Sequence, residues 1–163
     1  MKDSNHMSYI GVGPFYVIAI FLLTVIGSCI GKLKYFSMGI ISLTKFPLTV
    51  IGITLIILGI ILWIQAVIIS KIDKNITENK LVTTGAYAWV RNPIYSAFAI
   101  AFTGILCVQN NLFLLILPLI YWLILTIIIK KEEIILEKIF GQEYLIYKSK
   151  VNRCIPWFPK KIL

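Results

Sequence analysis

Arg91, Asn92, Pro93 and Tyr95 stand in the stretch VRNPIY, where a polar connection meets an apolar run, with Tyr87 and Trp89 just before them. As helix grammar, Asn92 is a good N-cap and Pro93 suits the first helical position, where a missing N–H costs nothing. Arg91, Tyr87, Trp89 and Tyr95 would then form an ordinary interface belt. The same residues also suit an anion. A helix N-terminus presents free N–H groups and a positive dipole end, and Arg91 adds a fixed cation able to bind a carboxylate through two donors. Further along, Glu132-Glu133 offers acceptors for an ammonium group or for ribose hydroxyls, although the pair also reads as a solvated charge cluster beside Lys130-Lys131. Tyr87, Tyr95, Tyr144 and Tyr147 bring ring faces and hydroxyls. A ligand with a carboxylate, an ammonium, a ribose and a soft cationic centre would find a partner for each.

The elements that must position these groups are apolar. Of 163 residues, 59% are hydrophobic and 14% charged, and the mean hydropathy is +0.90; soluble domains carry roughly a quarter charged residues. This is the composition of an integral membrane protein. Residues 9–31, 46–70, 93–109 and 112–129 hold no Asp, Glu, Lys, Arg or His, and each approaches the roughly 20 residues that cross a bilayer. Four spans are therefore expected. The third is the shortest and meets the fourth at Asn110-Asn111, so those two should form a tight antiparallel hairpin. From Lys130 the fourth helix should run on out of the membrane, with Ile135, Leu136, Ile139 and Phe140 on one face, as far as a stop or kink at Gly141. After it, QEYLIYKSKV can form a last amphipathic helix, and Trp157-Phe158 suits the membrane interface. The expectation is one membrane domain over 1–163, with two N-terminal spans in 1–70 and a ligand-binding loop, helical hairpin and tail in 71–163.

Charge sets the orientation. Lys32, Lys34 and Lys45 lie between the first two spans, whereas the other thirteen Lys and Arg residues, from Lys2 to Lys161, and all seven acids fall on the opposite side. The positive-inside rule then places both termini and the 71–92 loop in the cytoplasm of a multi-pass cell-membrane protein. A net charge of +9 fits attraction to anionic inner-leaflet lipid; no basic stripe on a soluble domain supports nucleic-acid binding. Cys29, Cys107 and Cys154 lack metal-ligand spacing, so no metal is expected. The IGSC box at Cys29 follows an N-region with a single Lys2, and the chain spans again after it, so the first run is read as a span. Gln65 is the only strongly polar side chain deep in a span, and the lack of intramembrane acids or bases disfavours a coupled transporter.

In sequence order, LVTTGAYAWVRNPIYSAF, an apolar hairpin, KKEEIILEKIFGQEYLIYKSKV, and Arg153 with Pro156 resemble the isoprenylcysteine carboxyl methyltransferase family and its bacterial and archaeal relatives. The chain is similar, more distantly, to the phospholipid N-methyltransferases. The resemblance covers residues 81–157, about half the chain. It implies S-adenosylmethionine bound on the cytosolic side and a lipophilic acceptor entering from the bilayer. By that resemblance Val82, Gly85, Tyr87, Arg91, Asn92, Tyr95, Glu132 and Glu133 would hold the cofactor; Arg153, Glu133 and Tyr147 are the candidates for the catalytic chemistry. Three departures stand out: Asn92 replaces the family's usual His, Ala97 stands near a common Gly, and Ala88 follows Tyr87 where a basic residue is frequent.

Methyl transfer from a sulfonium is an in-line displacement, so the protein mainly holds the two reacting atoms about 3 to 3.5 Å apart and aligned. An aromatic face such as Tyr95 or Tyr147 would favour the sulfonium by about 2 kcal/mol once water is excluded. For a carboxylate or thiolate acceptor, Arg153 would hold the charge; an amine would need a base, with Glu133 or Tyr147 nearest. An Ile-, Lys- and Asn-rich composition points to an AT-rich microbial genome and so to a small lipophilic thiol, acid or amine. The competing readings are a membrane scaffold that keeps the fold without catalysis and a phospholipid or amine N-methyltransferase. The sequence does not set the oligomeric state.

Overall fold

The computed structural model describes residues 13–155. Lys2, Asp3, the start of the first apolar run, Pro156, Trp157-Phe158, Lys160 and Lys161 lie outside the described residues. Among the described residues six α-helices follow one another: α1 Gly13–Ile30, α2 Lys45–Ile64, α3 Ile72–Thr77, α4 Pro93–Val108, α5 Ile116–Phe140 and α6 Gln142–Lys150. No strand forms among the described residues. Two isolated bridges, Ile40 with Asn111 and Val90 with Asn152, tie loops together.

Proline marks where the long helices begin. Pro47, Pro93 and Pro118 each fall in a first helical turn, where no i−4 partner is lost. Among the described residues three helical stretches are long and apolar enough to cross a membrane: Gly13–Ile30, Ser42–Ile69 and Leu112–Phe140. The expected third span is shorter than its apolar run. α4 has 16 residues, about 24 Å at 1.5 Å per residue. The second stretch ends in a π-helical turn, Gln65–Ile69, and Lys71 then takes a left-handed conformation, φ 47°. The polar connection expected after it contains the short helix α3. α5 does continue unbroken past Lys130, and Gly141 with φ 52° separates it from α6.

α2 and α4 pack with their backbones almost touching. A Cβ added to Gly104 would lie 2.5 Å from the Gly52 carbonyl oxygen, one added to Gly52 2.6 Å from the Gly104 carbonyl, and one added to Gly59 2.8 Å from that of Ala97. Small residues allow such approach between helices in an apolar medium. Gly59 thus supplies, on the facing helix, the room that Ala97 does not. Gly104→Leu is expected to force the pair apart and destabilise by at least about 1–3 kcal/mol, the usual range for overpacking; thermal unfolding in detergent reads the effect, and an unchanged midpoint would contradict the packing.

Tyr16 and Ile20 of α1 and Tyr121, Leu125 and Ile129 of α5 fill the main core with Leu106 and Leu114. The Thr24 and Tyr121 hydroxyls hydrogen-bond at 2.8 Å, satisfying polar groups that burial would otherwise penalise. At one end of the helices, Asn110 and Asn111 reach the 31–44 connection; at the other, the start of α4 meets α5, α6 and the chain after it.

Candidate active site

α4 begins against the C-terminal segment rather than against its own cap. Asn92 occupies the N-cap position, yet its side chain makes no capping bond. Its amide donates instead to the Arg153 carbonyl at 2.9 Å, while its own carbonyl accepts from the Ser96 hydroxyl at 3.0 Å. The Arg91 N–H donates to the Asn152 carbonyl at 2.8 Å, and the Ser96 hydroxyl also donates to the Cys154 carbonyl. The expected Asn92 cap is thus replaced by a cross-chain clamp holding residues 152–154 against the helix start.

Beside this clamp lies a cavity of about 360 Å³, lined by Tyr87, Arg91, Asn92, Tyr95, Glu132, Tyr144 and Tyr147 on its polar side and by Val67, Ile72, Ile76, Val82, Ile135, Leu136 and Ile139 on its apolar side. Gly85 shapes it from behind: at φ 61° it opens the 3-10 turn that carries Tyr87 inward. Tyr95 donates to Glu132 Oε1 at 3.1 Å. The Tyr147 hydroxyl donates to the Tyr87 carbonyl at 2.7 Å. Burial is the main cause raising the Tyr87, Tyr144 and Tyr147 phenols above their ordinary range, and the nearby Glu133 carboxylate adds to the rise at Tyr144. Tyr147 therefore keeps its proton and acts as a donor, not a base. Burial likewise pushes the Cys154 thiol up to about 12, which makes it inert as a nucleophile.

The two glutamates part company. Glu133 is 2% exposed and is not among the cavity-lining residues. Its carboxylate accepts from Arg153 Nε and Nη2, both at 3.1 Å, and pairs with Arg91 Nη2 at 3.0 Å and Lys148 Nζ at 3.7 Å. Lys148 also pairs with Glu137. These partners, rather than Lys130 or Lys131, neutralise Glu133. Arg153, expected at the reacting centre, braces Glu133 and likewise does not line the cavity. A stripe in the sequence could have separated the two: Tyr121, Leu125, Ile129 and Glu133 recur every fourth residue and are all buried, while Glu132 stands about 100° round the helix from that line.

Arg91 is the hinge between cluster and cavity. Its side chain is only 7% exposed, and Nε and Nη1 are buried without a hydrogen-bond partner, although one guanidinium edge is engaged by Glu133. A buried cation with two idle donors beside a cavity suits an anion, because desolvated donors cost free energy until something accepts from them. Sequence reasoning missed Asp73 and Lys80 at the cavity wall and the Lys148 pairs. No spacing rule relates Lys148 to Glu133, since α6 meets α5 only after the break at Gly141.

Residues 47–143 match the family described as "Phospholipid methyltransferase". Proteins named protein-S-isoprenylcysteine O-methyltransferase are similar: that of Xenopus laevis is 33% identical over 120 residues, covering 68% of this chain and 41% of its own. That of Saccharomyces cerevisiae is 36% identical over 133 residues, covering 77% and 54%. Form B from Arabidopsis thaliana is 33% identical over 117 residues, covering 65% and 58%. The chain spans about half the length of the curated relatives it matches. The chain belongs to the phospholipid methyltransferase family, in its isoprenylcysteine carboxyl methyltransferase-like part. It is a membrane protein whose named relatives are methyltransferases.

Proposed function

We propose that this chain transfers a methyl group from S-adenosylmethionine to a lipophilic acceptor at the cytoplasmic face of the cell membrane. The observation that carries the reading is Arg91, buried at the cavity with Nε and Nη1 unengaged. The cavity's donors and acceptors fit that cofactor: Arg91 suits a carboxylate, Glu132 and Asp73 suit an ammonium or ribose hydroxyls, and Tyr87 and Tyr95 suit a cationic centre. S-adenosylmethionine, when bound, would supply the methyl group on a sulfonium.

The protein's own part is to hold and exclude. Tyr147 fixes the Tyr87 backbone, Asn92 and Ser96 fix the chain after α6, and Ile72, Ile76, Ile135, Leu136 and Ile139 keep the far wall dry and receptive to an apolar acceptor. With Glu133 held among three cations and Tyr147 keeping its proton, neither expected base is at hand. An acceptor arriving as a carboxylate or thiolate fits better than an amine, since it needs no proton removed. In this reading α4 is a fourth, short span, packed as a tight antiparallel hairpin with α5, and α6 lies on the cytoplasmic face. The sidedness follows from the lysine and arginine distribution.

Titration calorimetry of S-adenosylmethionine and S-adenosylhomocysteine into the purified protein in detergent tests this directly. Wild type should bind both. Glu132→Gln should weaken binding about 10- to 100-fold, the loss of one charge-assisted bond at roughly 1.5–3 kcal/mol, with no change in melting temperature. No binding by folded wild type would favour a non-catalytic scaffold. With labelled donor, incorporation into an S-isoprenylated cysteine carboxylate but not into phospholipid amines would separate O- from N-methylation.

A further inference from the structure

We propose that the connection between α1 and α2, residues 31–44, is a cap embedded in the lipid leaflet opposite the cavity rather than a loop in water. Five of its large apolar side chains face outward, Tyr35 at 88% exposed, Leu43 88%, Met38 81%, Leu33 53% and Ile40 52%, and Phe46 in the first turn of α2 joins them at 79%. So many large apolar side chains turned outward in one short segment mark a contact with another apolar phase. The segment is continuous with the outward faces of α1 and α2, both long and apolar enough to span, so the covering phase already present there is lipid.

The backbone of the connection is built for that depth. Irregular chain survives in the hydrocarbon region only where its polar groups are satisfied within the protein. Two short 3-10 helices, Lys34–Gly39 and Ser42–Thr44, consume local donors: Phe36 N–H bonds the Leu33 carbonyl at 2.9 Å, Ile40 N–H that of Ser37 at 3.0 Å, and Thr44 N–H that of Ile41 at 3.2 Å. Carbonyls are taken from beneath. Asn111 donates to Gly31 and Phe36, each at 3.1 Å, and Asn110 to Ile41 at 2.9 Å. The Thr44 hydroxyl closes the set on Asn110 Oδ1 at 2.8 Å.

The length of α4 gives an independent reason. At 16 residues, about 24 Å, it falls short of the roughly 30 Å hydrocarbon core. If its other end reaches the interface beside Arg91, Asn110 and Asn111 end several ångströms below the opposite surface. They are 5% and 2% exposed, sealed by the connection, with Phe113 and Phe36 meeting edge to face at 6.2 Å. Lys32, Lys34 and Lys45 are all exposed and long enough to reach lipid phosphate from a shallow position. The occupant of this surface is thus the headgroup–acyl boundary of the bilayer. None of this depends on the methyltransferase reading.

Spin labels at Met38→Cys and Leu43→Cys, in a Cys29→Ser background reconstituted into phosphatidylcholine vesicles, read the depth; Tyr35→Cys replaces either variant that fails to fold. Collision with oxygen should exceed collision with a water-soluble nickel chelate at both sites, the reverse of a Glu78→Cys label in the 71–92 connection. Nickel exceeding oxygen at Met38 and Leu43 would overturn the proposal in favour of a solvent loop. Low collision with both agents, accompanied by spin–spin broadening, would overturn it in favour of a second copy covering the surface.

Discussion

Glu133→Gln is expected to cost about 3–5 kcal/mol of stability, the largest effect of any single change near the cavity, and to do so whether or not a ligand is bound. The reason is the company it keeps. Its carboxylate is the shared acceptor of Arg91 and Arg153 and lies 3.7 Å from Lys148. Removing one partner of a buried ion pair leaves the other charge uncompensated, and that residual desolvation dominates the loss. Arg91, at 7% side-chain exposure, is tied to the C-terminal segment by its backbone bond to Asn152. The result should be a lowered melting temperature and a fall in folded yield, with Arg153 and the 152–154 clamp loosened together. Glu132→Gln, in contrast, should fold as wild type. A Glu133→Gln protein that melts as wild type would mean that the buried cluster does not bear on stability. The pair of variants therefore separates a scaffold effect from a ligand effect at adjacent positions.

Arg91→Lys is expected to weaken S-adenosylmethionine binding about 10- to 100-fold while leaving the protein folded. A lysine keeps a cation for Glu133 but has neither the planar fork nor the further donors that Arg91 carries on Nε and Nη1. Only the Nη2 contact to Glu133 has a substitute. The loss corresponds to roughly 1.5–3 kcal/mol for a charge-assisted hydrogen bond. Calorimetric affinity and melting temperature must be measured together, since the prediction is that the first falls and the second holds. Equal affinity in Arg91→Lys and wild type would show that the idle guanidinium donors do not hold the ligand's anion.

Much of this was legible before any coordinates. The apolar runs, the helix start at Pro93, the continuation of α5 past Lys130 and the break at Gly141 follow from local rules of backbone geometry and hydropathy, and the structure has them. The tyrosines Tyr87, Tyr95, Tyr144 and Tyr147 and the cation Arg91 were read as one group, and all five line the cavity. Other features had no local signature. Asn92 reads as an N-cap in isolation, but the Arg153 carbonyl, far away in sequence, draws its amide off. Asn110-Asn111 reads as a bare turn, yet both amides serve carbonyls of the 31–44 connection.

What the sequence determined by itself is the phase and the materials: an all-helical membrane chain, with all seven acids and thirteen of its sixteen Lys and Arg residues outside the connection between the first two apolar runs. Those properties are sums over neighbouring residues, and neighbours are what a sequence shows. Only the tertiary structure decided which glutamate serves which purpose. Glu132 and Glu133 are identical in type and adjacent in the chain, and their roles differ by about 100° of helix rotation. That rotation is set by Tyr121, Leu125 and Ile129 packing inward, which carries Glu133 into the core toward Arg91, Arg153 and Lys148 and leaves Glu132 beside Tyr95 at the cavity.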